Sequence, residues 1–113
     1  MKIYHNPRCS KSRQSLALLQ EAGVELEVVE YLNDPPTVEE LSQILAALQM
    51  EPTDLMRTGE AVYKELGLNA KALSREEAIE IMVQNPVLIQ RPIVVKGEQA
   101  VIGRPSENIR ALI

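Results

Sequence analysis

Cys9 and His5 are the only cysteine and the only histidine of the chain, and they stand four residues apart in "IYHNPRCSKSRQSLALLQ". Such residues commonly have bland roles, the cysteine as a small buried hydrophobe and the histidine as a structural hydrogen-bonding group. The flanks of Cys9 argue for more. Asn6, Pro7, Arg8, Ser10, Lys11 and Ser12 make a polar loop rather than a packed strand. A cysteine sulfur at a helix N-terminus meets unpaired backbone N–H groups and the positive end of the dipole, and Arg8, Lys11 and His5 add positive potential. Each of these favours thiolate over thiol, so a nucleophile reactive at neutral pH is expected. One cysteine and one histidine fall short of the three or four ligands of a usual metal site, and no metal is expected.

The spacing narrows the chemistry. A dithiol redox enzyme uses Cys-x-x-Cys, but position 12 is Ser, so no internal thiol can resolve a disulfide formed at Cys9. A phosphatase of the Cys-x5-Arg type is also disfavoured, because Arg13 comes four residues after Cys9 and position 15 is Ser. What remains is a monothiol of the Cys-x-x-Ser kind, whose turnover needs a second thiol from outside the chain.

The elements that must position this loop follow from periodicity. Lys2 to Tyr4 reads as a short strand, and a helix follows from about Ser10 to Ala22, with Leu16 and Leu19 on one face and Gly23 ending it. "VELEVVEYL" alternates apolar and polar residues as a second strand, Val24 to Leu32, before "NDPP". "TVEE" at Thr37 and "SREE" at Ser74 are capping boxes that open helices carrying Leu41, Ile44, Leu45 and Leu48, and Ile79, Met82 and Val83. Shorter helical pieces lie between them. "RPIVV", Arg91 to Val95, and "QAVIG" read as a hairpin turning at Lys96-Gly97-Glu98, and Pro105 suits the first position of a terminal helix. The order fits one α/β domain of residues 1–113, with a helical insertion at about 37–85 between two halves of a mixed sheet. It is compatible with a thioredoxin-like core, although several α/β folds share it.

Length and charge bound the class. At 113 residues the chain suits one hydrophobic core. The start "MKIYHNPRCS" holds no apolar run long enough for a signal peptide or membrane span, so no membrane association and a cytoplasmic location are expected. A formal charge of −4 argues against a nucleic-acid partner. Yet Lys2, Arg8, Lys11 and Arg13 precede the first acid, and 14 of the 16 acids lie from Glu21 to Glu80. The N-terminal loop is thus locally positive, which suits a small anion.

At this point "YHNPRCSKSR", "YLNDPPTVEEL", "LMRTGEAVYKELGL", "NPVLIQRPIVV" and "IGRPSE" together resemble the arsenate reductases that work with glutathione and glutaredoxin. The resemblance runs from about Ile3 to Glu107. It implies a thioredoxin-like fold with an inserted helical region, Cys9 as nucleophile with His5 nearby, and Arg57, Arg91 and Arg104 as the oxyanion site. Residue type alone would not have united these arginines. The set makes physical sense, because a tetrahedral dianion suits several forked guanidinium donors that also oppose the charge of the thiolate. The resemblance further implies a cis bond before Pro92, glutathione as co-substrate, glutaredoxin as partner and no bound cofactor. Ser12 could donate its hydroxyl to the thiolate. Arg8 and Ser10-Lys11 depart from the smaller residues of familiar members, and the added charge could tighten or retune anion binding. The same fold serves glutathione-dependent thiol reductases and Spx-like interaction proteins, but the latter commonly carry the Cys-x-x-Cys that Ser12 excludes here.

Overall fold

The computed structural model describes residues 1–113. Four strands form one mixed sheet in the order β2-β1-β3-β4: β1 Lys2–Tyr4, β2 Glu27–Val29, β3 Ile93–Lys96 and β4 Gln99–Ile102. β1 runs parallel to β2, with Ile3 opposite Val28, and antiparallel to β3, with Ile3 opposite Val94. β3 and β4 are the expected hairpin, with Lys96 opposite Gln99 and Gly97 at φ 59° in the turn. Helix α1, Ser10–Glu21, and a terminal 3₁₀ helix, Ser106–Leu112, pack on one face of this sheet. Their Leu19, Ile109 and Leu112 close with Ile3 and Val94 into a core. Tyr4 and Ile93, on the opposite face, are buried as well.

The second strand is shorter than its sequence pattern. Val24 and Leu26 pack against the core, but only Glu27–Val29 pair, because their partner β1 is itself three residues long. β3 likewise starts at Ile93 rather than Arg91. Pro92 has no N–H to give a ladder, and its carbonyl instead accepts from Gly103 N at 3.0 Å. The bond before Pro92 is cis, as the resemblance implies, and so is the bond before Pro105. The terminal helix starts at Ser106 rather than at Pro105. Pro105 is the extended N-cap residue, at φ −68° and ψ 163°, of this 3₁₀ helix.

The chain divides into two compact units, one of Met1–Asp34 with Arg91–Ile113 and one of Pro35–Gln90. The second is the helical insertion. It holds α2 Val38–Leu48, α3 Pro52–Leu55, α4 Ala61–Glu65 and α5 Arg75–Gln84. Both capping boxes form: Thr37 Oγ1 accepts from Glu40 N at 3.1 Å, Ser74 Oγ accepts from Glu77 N at 3.2 Å, and each glutamate accepts the N–H of its cap residue. Leu41, Ile44 and Leu45 of α2 and Ala78, Ile79 and Met82 of α5 are buried, and the two helices pack together. A bridge between Met56 and Ile89, with Arg57 N donating to Leu88 O at 2.7 Å, ties the segment after α3 to the end of the unit. No helix of the chain is long and apolar enough to cross a membrane.

Candidate active site

Cys9 occupies the N-cap position of α1 in extended conformation, φ −99° and ψ 122°, and its carbonyl accepts the first helical bond from Arg13 N at 3.0 Å. The residue is largely buried, at 8% exposed. Two opposed effects set its ionisation. Burial pushes the thiol pKa up, but the Ser12 amide, the Arg91 charge, the Lys11 amide and the Arg104 guanidinium outweigh it, and the net shift is downward. The side chain makes no cap hydrogen bond of ordinary length, so the amides act as oriented donors near the sulfur. The cationic groups that matter are thus Arg91 and Arg104, more than ninety residues away in the chain for Arg104. The exposed charges of Arg8 and Lys11, expected to help, are not among the causes.

Arg104 makes the direct contact. Its Nη1 donates to Cys9 Sγ at 3.7 Å and to Arg91 O at 3.3 Å, while Nε and Nη2 make no bond within the protein. Arg91 is half-buried, and its Nε is enclosed without a hydrogen-bond partner. A buried donor left unpaired is costly unless something from outside satisfies it. The sheet brings these residues together, since Arg91 leads into β3 and Arg104 follows β4. Gly103 permits the approach: a Cβ there would collide with Ser15 Oγ and lie 2.9 Å from Pro92 Cγ.

His5 and Ser12 form the floor of the loop. His5 Nδ1 lies 2.6 Å from Ser12 Oγ, which also accepts Asn6 N–H at 3.0 Å, and both side chains are buried. The Ser12 hydroxyl therefore bonds His5 and Asn6 rather than the sulfur, and Ser12 acts on Cys9 through its backbone N–H. Burial, with the nearby Arg13 charge, holds the His5 pKa below its ordinary 6.5 against the opposing pull of Glu30, so the ring is neutral at pH 7. Residues not singled out by type complete the loop. Asn6 O accepts from Cys9 N and its Oδ1 from Arg8 N, both at 3.0 Å, and Arg13 Nη1 donates to Pro7 O at 2.9 Å. The Asn-Pro pair was the available turn signal for Asn6, whereas nothing local marks Arg13. Arg57 belongs to the second unit, where its Nη1 pairs with Glu60 Oε1. No three side chains of His, Cys, Asp or Glu gather as a metal-ligand set.

Residues 4–112 match the model of the ArsC family. The chain is 51% identical to the Escherichia coli protein YfgD, over 100% of this chain and 96% of that one. It is 44% identical to the arsenate reductase of Neisseria meningitidis serogroup B, over 100% and 97%. Among solved structures, the arsenate reductase of Vibrio cholerae superposes with a TM-score of 0.94 at 44% identity, covering 100% of this chain and 98% of that one. The thioredoxin-like mixed sheet with its helical insertion is shared with that structure.

Proposed function

This chain belongs to the ArsC family, and from that premise we propose that it reduces arsenate to arsenite, with Cys9 as nucleophile and glutathione as the second thiol. The observation that carries the reading is the pairing of a thiolate-favouring sulfur with donors that nothing in the protein uses. Arg104 Nη1 donates to Cys9 Sγ at 3.7 Å with Nε and Nη2 unoccupied, and Arg91, whose charge also favours the thiolate, keeps an enclosed, unpartnered Nε. A tetrahedral oxyanion offers several acceptor oxygens to such donors, and its central atom would then lie within reach of the sulfur.

In this reading the Cys9 thiolate attacks arsenic(V), an As–S bond forms, and one oxygen leaves as hydroxide or water. Arg91 and Arg104 hold the remaining oxygens and oppose the charge that sulfur and anion bring together. Arg57 is the third donor on the resemblance alone. Glutathione sulfur then bonds to Cys9 sulfur as the As–S bond breaks. The electron pair passes to arsenic, arsenite leaves, and the two thiols end as a mixed disulfide. Glutaredoxin reduces that disulfide and returns Cys9 to the thiolate.

The test is turnover of arsenate with glutathione and glutaredoxin, set against Cys9→Ser. Arsenite should appear with the wild type and not with the variant. Turnover by Cys9→Ser, or none by a wild type whose thiol is demonstrably reduced, would overturn the reading.

A further inference from the structure

Arg104 is an exposed residue on a turn, yet its guanidinium must hold a fixed place against Cys9 Sγ. The turn is held from one side by Gly103 N donating to Pro92 O at 3.0 Å, with Ser15 packed where a Cβ would stand. From the other side it is held by Asn108. Its Nδ2 donates to Ile102 O at 3.2 Å and to Arg104 O at 3.3 Å, so a single amide group brackets Gly103 and fixes the carbonyls on both sides of it. Asn108 is itself anchored, its backbone N donating to Pro105 O at 3.0 Å in the first turn of the terminal 3₁₀ helix.

The side chain suits this task by chemistry and reach. Asparagine carries two N–H protons on one nitrogen at the end of a short stem. Aspartate has the same shape but offers only acceptors, which two carbonyl oxygens would repel. An exposed asparagine that only solvates the surface has no need to commit both protons to the backbone of the turn that carries Arg104.

We propose that Asn108 is a positioning residue for Arg104, fixing the backbone of residues 102–104 so that the guanidinium reaches both Cys9 Sγ and the oxygens of the bound oxyanion. The part that concerns the oxyanion rests on the reading above. The part that concerns the sulfur does not.

The test uses Asn108→Ala, Asn108→Asp and each combined with Arg104→Met. In the wild-type background both Asn108 variants should raise the midpoint of the Cys9 thiolate absorbance titration, because a displaced Arg104 no longer favours the thiolate. They should also lower kcat/KM for arsenate by roughly three- to tenfold, mainly through KM. In the Arg104→Met background the same changes should add less than about 1.5-fold and leave the thiol midpoint where Arg104→Met alone puts it. A midpoint unmoved by either Asn108 variant overturns the proposal, whatever the melting temperature does. So does full additivity with Arg104→Met, or an Asn108→Asp protein that behaves as wild type. If the wild type does not reduce arsenate but the midpoint shifts as described, the positioning role stands and the substrate assignment fails.

Discussion

At Cys9 the energetic balance is between burial, which disfavours the thiolate, and the amides and guanidinium groups that favour it; the second group wins. Titration of thiolate absorbance should therefore give a midpoint below the ordinary 9.0. The same shift has a consequence for stability. A thiol with a depressed folded pKa stabilises the fold fully above its unfolded value, and the contribution is lost as pH falls through the folded midpoint. Denaturant unfolding of wild type and Cys9→Ser should thus show the wild type gaining on the variant as pH rises towards about 9, a gap that is flat if no shift exists. His5 has the opposite charge logic. Between its folded midpoint and 6.5 the unfolded chain binds a proton that the folded chain refuses, so acidification through that window destabilises. For the arginines, Lys preserves charge but removes the planar fork. Arg91→Lys and Arg104→Lys should each lower kcat/KM for arsenate by at least about tenfold, or roughly 1.4 kcal/mol, while Arg110→Lys on the terminal helix changes it little. Equal tolerance at all three positions would contradict the oxyanion clamp. The helix-start position of Cys9 was legible in the sequence because the signals that set it are local. The Arg104 contact was not, since 95 residues separate it from Cys9 and only strand pairing unites them.

The elements show the same division between local and long-range information. The capping boxes at Thr37 and Ser74 form as written, because three-residue spacing on one helix turn carries everything they need. The strand read over Val24 to Leu32 pairs over only three residues, because its length depends on a partner that the alternating pattern does not reveal. The least legible feature is the close approach of α1 to the turn after β4. Ser12, Ser15 and Leu19 make the buried stripe of α1, and two of the three are small polar residues that read as surface. Ser15 donates to Gly103 O at 3.5 Å, which leaves no space for a side chain at position 103. Gly103→Ala should therefore overpack this contact and cost about 1–3 kcal/mol, read as a lower denaturation midpoint with an unchanged slope. Gly59→Ala meets nothing within 4 Å and is the control for a glycine whose replacement needs no movement. Equal midpoints for the two variants would mean that α1 and the turn can separate at little cost.

Over the whole molecule the decisive number is the single cysteine. Reduction of arsenic(V) to arsenic(III) takes two electrons, and two thiols must supply them as they join into a disulfide. In the proposed reaction Cys9 supplies one sulfur, and Ser12 stands where a resolving thiol would be, its hydroxyl bound to His5 and Asn6. In the proposed mechanism the second sulfur is therefore external, and the product left on the protein would be a mixed disulfide with the small thiol that took part. The expectation of an external thiol rests on composition alone, because it depends on the count of cysteines rather than on packing. It leads to a prediction about partners. With arsenate and glutathione but no glutaredoxin, intact-protein mass spectrometry should show one glutathione added at Cys9, and arsenite should stop near one equivalent per chain. Adding glutaredoxin should remove the adduct and restore turnover. Thioredoxin as the only thiol source should support turnover poorly, since its dithiol must then both act on the arsenic adduct and resolve the disulfide. Sustained turnover with thioredoxin alone, or arsenite well beyond one equivalent with no adduct at Cys9, would rule out external resolution by glutathione.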